Sequence, residues 1–265
     1  MAFRVATWNV NSIRQRLDHL KSFVDTHQPD VLCLQETKVR DEEFPKDDMH
    51  AMGFETVLFH GQKSYNGVAV LVRKSVQAEE RLVWCDKDDR RHLAVTLENG
   101  LTVHNFYVPS GGGVPDAEAN DKFAHKLQFL DEMAQWVAQP EQKAGKLLLV
   151  GDMNVAPFEN DVWNHKRLQK QIGHTPGECE RLVRLHTEGD LIDVGRHFVP
   201  EDQTLFSWWG YRYKLSVEKD YGWRLDHILA SQSLEGNLRS FKAVKDTRLW
   251  EKPSDHIPLV VELDL

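Results

Sequence analysis

Leu147-Leu148-Leu149-Val150-Gly151-Asp152-Met153-Asn154 runs from four aliphatic residues straight into a carboxylate and an amide. An aliphatic run of this length bounded by a glycine reads as a strand covered on both faces. Such strands belong to sheets packed between other layers, here two sheets against each other with helices outside, so the expected fold is a layered α/β sandwich. Asp152 and Asn154 then stand at a strand end, where a carboxylate near a core needs a partner.

The same arrangement recurs along the chain. Phe3–Trp8 ends at Asn9, Val31–Leu34 runs into Gln35-Glu36, Trp223-Arg224-Leu225 leads to Asp226-His227, and Ser254-Asp255-His256 precedes a final apolar run. If these strands share one sheet edge, their polar ends converge. Ionised carboxylates gathered near a core cost several kcal/mol unless a cation or hydrogen bonds compensate. Asp, Glu and Asn oxygens suit Mg²⁺ or Mn²⁺, and the chain offers no clustered Cys/His set for zinc. Such a cation can make a water nucleophilic and offset charge on a phosphate. Taken singly, Asp152 and Asn154 read as turn caps, Glu36 as a surface charge, Tyr107 as a rim aromatic and Asp226 as an ion-pair partner of Arg224 or Arg212. Their combination is what points to a site.

Working outward, further strands are expected at Val68–Val72, His92–Leu97, Leu101–Tyr107 and Leu259–Leu263. Ala117–Ala138 is the clearest helix, with Phe123, Leu127, Leu130, Met133 and Val137 on one face, and Ile13–Thr26 is a second, with Ser12 as its cap. Ser110-Gly111-Gly112-Gly113 lacks a nucleotide-binding pattern and reads as a flexible turn. With 265 residues, 41% of them hydrophobic, and no repeat or linker, one domain over residues 1–265 is expected. No apolar stretch is long enough to span a membrane and no secretory segment is apparent, which leads us to expect a cytoplasmic protein. Cys33, Cys85 and Cys179 are odd in number and far apart, so they suit neither a disulfide framework nor zinc. The excess of 41 Asp+Glu over 33 Lys+Arg, a net charge of −8, argues against holding nucleic acid by bulk charge alone and leaves room for a local basic groove.

Six motifs in order complete the reading: Thr7-Trp8-Asn9-Val10-Asn11, Gln35-Glu36-Thr37-Lys38, Tyr107-Val108-Pro109, Gly151-Asp152-Met153-Asn154-Val155-Ala156, Trp223-Arg224-Leu225-Asp226 and Ser254-Asp255-His256. With Phe206-Ser207-Trp208-Trp209 between the fourth and fifth, the set resembles the exonuclease III-type AP endonucleases over nearly the whole chain. The resemblance implies the endonuclease/exonuclease/phosphatase fold, a four-layer sandwich of two packed β-sheets flanked by helices. It implies a DNA repair nuclease that hydrolyses phosphodiesters 5′ of abasic sites or trims 3′ ends, using one or two Mg²⁺ ions for which Mn²⁺ substitutes. Glu36 would ligate the main metal with Asn9 and Asp255 beside it, and Asp152 and Asn154 would join in a two-metal site. Asp152 would activate the attacking water, Asn154 would hold that water or a phosphate oxygen, and His256, oriented by Asp226, would contact the scissile phosphate. Tyr107 would bind or deprotonate.

The same resemblance makes Trp208, Trp209, Trp223 and Leu225 walls of a pocket for a baseless sugar, a residue whose extrusion from the stack costs little. Arg212 and Lys214, with Lys38 and Arg73, are expected phosphate contacts. The implied partner is double-stranded DNA with abasic sites or 3′ ends, the nucleoid being where a cytoplasmic monomer would meet it. Three departures bear on substrate choice: Ser110 after Tyr107-Val108-Pro109, Asn66 before Gly67, and the stretch Phe158–Thr175 with Trp163, Asn164 and His165. Competing readings are an inositol polyphosphate or sphingolipid phosphoesterase, a secreted nuclease or an RNA deadenylase of the same fold, and, from another class, a catalytically inert DNA-binding module.

Overall fold

The computed structural model describes residues 2–212 and 215–265. Its strands are β1 (Phe3–Asn9), β2 (Val31–Gln35), β3 (Thr56–His60), β4 (Val68–Val72), β5 (Ala78–Glu80), β6 (His92–Thr96), β7 (Leu101–Tyr107), β8 (Lys146–Asp152), β9 (Leu191–Asp193), β10 (Asp226–Ser231), β11 (Leu238–Ala243) and β12 (Leu259–Leu263). They form two sheets among the described residues, ordered β11-β12-β1-β2-β4-β3 and β5-β6-β7-β8-β10-β9. The helices are α1 (Leu17–His27), α2 (Lys46–Ala51), α3 (Asp121–Val137), α4 (Pro140–Ala144), α5 (His165–Leu168), α6 (Pro176–Glu188) and α7 (Val194–Phe198).

The layering follows from which face of each strand is apolar. Val5, Val31, Cys33, Val68 and Val70 meet Leu93, Val95, Val103, Leu148, Val150 and Ile228 in a core between the sheets. The alternate residues of the first sheet, among them Ala6, Trp8, Leu32 and Leu34, pack outward on Leu20, Phe23 and Val24 of α1. Those of the second, Phe106, Leu147, Leu149 and Leu229, pack on Phe129, Leu130 and Met133 of α3 and Leu182 and Leu185 of α6. Strands with two apolar faces are thus covered twice, and the expected four-layer sandwich is what forms.

A polar seam crosses the inner core just below the strand ends. Gln35 Nε2 donates to Thr7 Oγ1 at 2.8 Å and to Asn105 Oδ1 at 2.6 Å, while Asn105 Nδ2 donates to the carbonyls of Leu34 and Ala69 at 2.9 Å each. Asn105 lies on β7 and its partners on the other sheet, so these buried bonds pin the sheets together beneath the rim.

Two local expectations are corrected. Ser12 has φ 96 and makes no capping bond; a 3-10 turn over Ile13–Gln15 intervenes and α1 starts at Leu17. α3 starts at Asp121 because the Asn120 side chain accepts from Lys122 N, and the residues before it are turn. The strands that sequence reading omitted include β5, which is exposed at all three positions, and β11, whose middle is half-exposed, so neither carries a strong apolar signal. Among the described residues no helix is long and apolar enough to cross a membrane.

Candidate active site

Strand direction decides which polar ends meet. β1 and β2 are parallel with Asn9 opposite Gln35, so Asn9 and Glu36 leave the first sheet at the same end. β12 runs antiparallel to β1, with Leu259 opposite Thr7, which brings the preceding Asp255 and His256 to that end. In the second sheet β7 and β8 are parallel with Tyr107 opposite Asp152, and β10 is antiparallel with Asp226 opposite Asp152. All seven side chains therefore gather at one rim. Gly151 makes that approach possible: a Cβ there would stand 2.0 Å from the Phe106 carbonyl oxygen.

Glu36, Asp152 and His256 each offer an atom within 4.8 Å of the others. His256 Nδ1 donates to Asp226 Oδ2 at 2.8 Å, and the same oxygen accepts the Ser207 hydroxyl at 2.6 Å. His256 Nε2 lies 3.7 Å from Asp152 Oδ2. Burial opposes the imidazolium, but the Asp226 and Asp152 carboxylates outweigh it and push the His256 pKa up to about 10. Burial raises Asp152 to about 7 against the pull of His256, with Asp226 and Glu36 adding to the rise. Tyr107 stays a neutral phenol, its pKa pushed well above 10 by burial and by Glu36 and Asp152. The Arg91 guanidinium sits 4.9 Å over its ring.

Asn9 Nδ2 donates to Glu36 Oε1 at 2.8 Å and Asp152 Oδ2 at 2.9 Å, while its Oδ1 accepts from Asn11 N at 3.0 Å. Both partners of Nδ2 are carboxylates and the partner of Oδ1 is an N–H, so chemistry dictates the orientation of this amide. Asn9 thus braces the two carboxylates as a donor, with its oxygen turned to Asn11 N. Asn154 is turned the other way: Nδ2 donates to the Val108 carbonyl at 2.9 Å, which reserves Oδ1 as the acceptor, and the backbone N–H donates to Asp152 Oδ1 at 2.9 Å. Asp255 lies on the cleft wall, accepting from Asn11 Nδ2 at 2.8 Å and Trp208 Nε1 at 3.0 Å. Burial alone would raise its carboxyl; His256 and these two donors hold it below the usual range.

The residues fit a hard divalent cation. Glu36 and Asp152 supply converging carboxylate oxygens, and His256 stands beside them with a raised pKa that favours the imidazolium, a donor to anions. Lys38 Nζ lies 2.7 Å from Glu36 Oε2 and bonds Asn11 Oδ1, so one cation already counters this cluster.

The rim opens into a cleft of about 790 Å³ lined by Glu36, Tyr107, Asn154, Asp255 and His256 on its polar side and by Trp208, Trp223 and Leu225 on its apolar side. The rings of Trp208 and Trp223 meet edge to face at 88°. Arg212 is exposed at the mouth. Trp209, expected in this wall, is 1% exposed, packs with Phe206 and Ile257 and donates Nε1 to Asp220 Oδ1 at 3.0 Å. Its backbone alternates with Trp208, so one ring faces the cleft and the next the core. Arg73 follows β4 at Val72, opposite Val31, the far end of the sheet from Gln35, and stacks over Phe54; it is remote from the cleft. Lys214 falls outside the described residues.

The contacts of several supporting residues are not legible in the sequence. Arg224 pairs with Asp161 at 2.9 Å and Asp193 at 2.8 Å instead of Asp226, which ties the strand-entry segment Leu225-Asp226 to two loops. His227 is neutral and buried, its Nε2 donating to the Val155 carbonyl at 2.8 Å. The loop Ser110–Gly113 lines the cleft and is tied by Asn120 Nδ2, which donates to the carbonyls of Gly111 at 2.8 Å and Val114 at 2.6 Å. Thr175-Pro176-Gly177-Glu178 is a capping box with proline at its first helical position, a signal for α6 that was present in the sequence.

Two stacked sheets that pool carboxylates and an imidazole at one rim, beside an aromatic cleft, define an α/β sandwich with an acidic centre. The pattern of the Endonuclease/Exonuclease/phosphatase family matches residues 6–256, and the chain belongs to that family. It is 34% identical to the exodeoxyribonuclease III of Haemophilus influenzae over 97% of this chain and 98% of that one. Its structure resembles that of an AP endonuclease from Archaeoglobus fulgidus with TM-score 0.92 and 33% identity, covering 99% of this chain and 100% of that one. It also resembles the 3′ phosphatase NExo from Neisseria bound to a product DNA hairpin, with TM-score 0.91 and 32% identity over 100% of both chains.

Proposed function

We propose that this chain is a DNA repair nuclease, acting as one domain over residues 1–265, that hydrolyses the backbone 5′ of abasic sites and removes nucleotides or blocking groups from 3′ ends. One observation carries the reading: the Asp226–His256–Asp152 array stands beside Glu36 at the polar end of a cleft whose other wall is Trp208, Trp223 and Leu225. The names of the similar exodeoxyribonuclease, AP endonuclease and 3′ phosphatase support the same substrate class.

In-line attack on a phosphodiester builds negative charge on the nonbridging oxygens and on the departing 3′ oxygen. His256 presents a charged N–H toward that position, held by Asp226 so that the ring neither rotates nor loses its proton near neutral pH. Asp152, with its pKa raised to about 7, is poised to take a proton from water at physiological pH. Asn154 offers Oδ1 to orient that water, and the neutral Tyr107 phenol donates to a phosphate oxygen. Glu36 and Asp152 would hold Mg²⁺, with Mn²⁺ as a substitute, and the ion when bound supplies positive charge against the phosphate. Trp208, Trp223 and Leu225 receive the sugar, while Arg212 and Lys38 meet flanking phosphates. A monomer working in the cytoplasm on duplex DNA completes the proposal.

The test is a labelled duplex carrying one abasic site, and a second carrying a blocked 3′ end, each incubated with Mg²⁺ and with chelator. Incision 5′ of the site and release of the 3′ block, both abolished by chelator, are expected. Cutting that persists unchanged in chelator overturns the metal-assisted reading, and turnover of inositol phosphates in place of DNA overturns the substrate class.

A further inference from the structure

Behind the cleft, between α3 and α6, lies an ion pair that the hydrolytic array does not contain. Lys126 and Glu178 are both fully buried, with Nζ 2.5 Å from Oε1. Burial of such a pair rarely stabilises a fold more than a well-packed apolar pair would, so its presence asks for another reason. The contacts supply one. Lys126 Nζ also donates to the backbone carbonyl of Asn154 at 2.7 Å, in the residue whose side chain faces the cleft at φ 52. Glu178 accepts from Gly173 N with both carboxylate oxygens at 2.9 Å and from the Thr175 hydroxyl at 2.6 Å. Gly173 in turn accepts from Ala156 N at 2.7 Å. The Lys126 stem runs under the glycine loop: a Cβ on Gly111 would stand 3.1 Å from Lys126 Cδ and 2.9 Å from Ile172 Cγ2. Three separate stretches of cleft wall, Ser110–Gly113, Asn154 and Gln171–Gly173, thus rest on one buried pair.

We propose that Lys126, held by Glu178, is a positioning residue for the hydrolytic reaction, which sets the Asn154 backbone and locks the Gln171–Gly173 wall to it. The proposal rests on the nuclease reading above. The ammonium replaces the backbone partner that a left-handed residue at a strand exit lacks, and Glu178 transmits the same constraint to the opposite wall. Misplacing a reacting group by an ångström costs up to about a hundredfold in rate without a matching loss of binding. The effect of losing the clamp is therefore expected in kcat.

The deciding variant is the charge-balanced K126M/E178Q, which leaves an acceptor for Gly173 N but no ammonium for the Asn154 carbonyl. Thermal unfolding, kcat and KM are measured on the abasic duplex in Mg²⁺, beside wild type with and without chelator. The expected result is a melting temperature near that of wild type with kcat lower by about tenfold or more and KM little changed. A folded variant with kcat within about twofold of wild type overturns the clamp and leaves the nuclease reading intact. Wild type that fails to cut in Mg²⁺ overturns both. As a second measurement, amide exchange in K126Q should quicken at Met153–Ala156 and Ile172–Thr175 and stay unchanged in β1 and β2. Unaltered exchange at those loops is evidence against the clamp.

Discussion

Asp226 Oδ2 receives the Nδ1 proton of His256 at 2.8 Å and the Ser207 hydroxyl at 2.6 Å, so a single carboxylate oxygen both aims and charges the imidazole that faces Asp152. The arrangement links β10 to the segment before β12, one from each sheet, and makes the chemistry depend on their mutual position.

Replacing Asp226 by Asn keeps the shape and removes the charge. The His256 pKa is raised by Asp226 and Asp152, so the protonated form persists at neutral pH and is lost only as pH rises through about 10. In D226N that alkaline limb should move down toward the ordinary histidine range, with kcat lower by roughly a hundredfold. A pH–rate profile of both proteins on abasic duplex reads it; an alkaline limb that stays put would remove Asp226 from this role.

For Asp152 the sign is the reverse in activity. Burial raises its pKa to about 7, so the base form builds as pH rises through that value, and D152N should bind DNA normally while hydrolysis falls by about two to four orders of magnitude. A carboxylate with a raised folded pKa contributes stability below its unfolded value, near 3.8, and loses it as pH climbs through about 7. In chelator at pH 8, D152N should therefore melt higher than wild type, and Mg²⁺ should stabilise wild type more than the variant. Equal melting of the two proteins under both conditions contradicts this account.

The neighbouring tryptophans should separate cleanly. Trp209 is 1% exposed among Phe206 and Ile257, so W209A is expected to cost about 3–5 kcal/mol of stability. Trp223 is half-buried on the cleft wall, and W223A should weaken DNA binding by about 1–3 kcal/mol with a smaller effect on folding. Denaturant titration beside equilibrium binding distinguishes them. The reverse pattern would move the substrate wall to the other ring.

Arg224 is buried between Asp161 and Asp193. Removing its charge strands Asp193 and leaves Asp161 to Arg196 alone, and R224M should destabilise by about 3–5 kcal/mol. Chemical denaturation measures the loss, and a shift below about 1 kcal/mol would mean that water compensates both acids.

Reading the sequence succeeded where apolar runs end on polar residues, because a strand covered on both faces leaves few other interpretations of Leu147–Val150 or Val31–Leu34. It was weaker at edges: β5 and β11 expose too much to show a pattern, and α6 was overlooked although Thr175 and Glu178 signal its start. Among site residues, Glu36, Asp152, Asn154, Asp255, His256, Tyr107 and Asp226 do converge. Arg73 was misplaced because proximity to an apolar strand says nothing about which end of the sheet it leaves.

The order of strands and of polar strand ends, and the doubly covered sheets of a layered sandwich, were determined by the amino-acid sequence, since apolar faces and polar strand ends are local properties. Strand direction in the sheets, by contrast, brought those ends to one rim. Tertiary structure alone decided that Asn9 bridges Glu36 and Asp152, that Trp208 faces the cleft while Trp209 faces the core, and that Lys126 and Glu178 meet beneath it. Those outcomes depend on which groups the packing of two sheets and two helices brings within about 3 Å of one another, the range over which hydrogen bonds act. Spacing along the chain does not encode that distance.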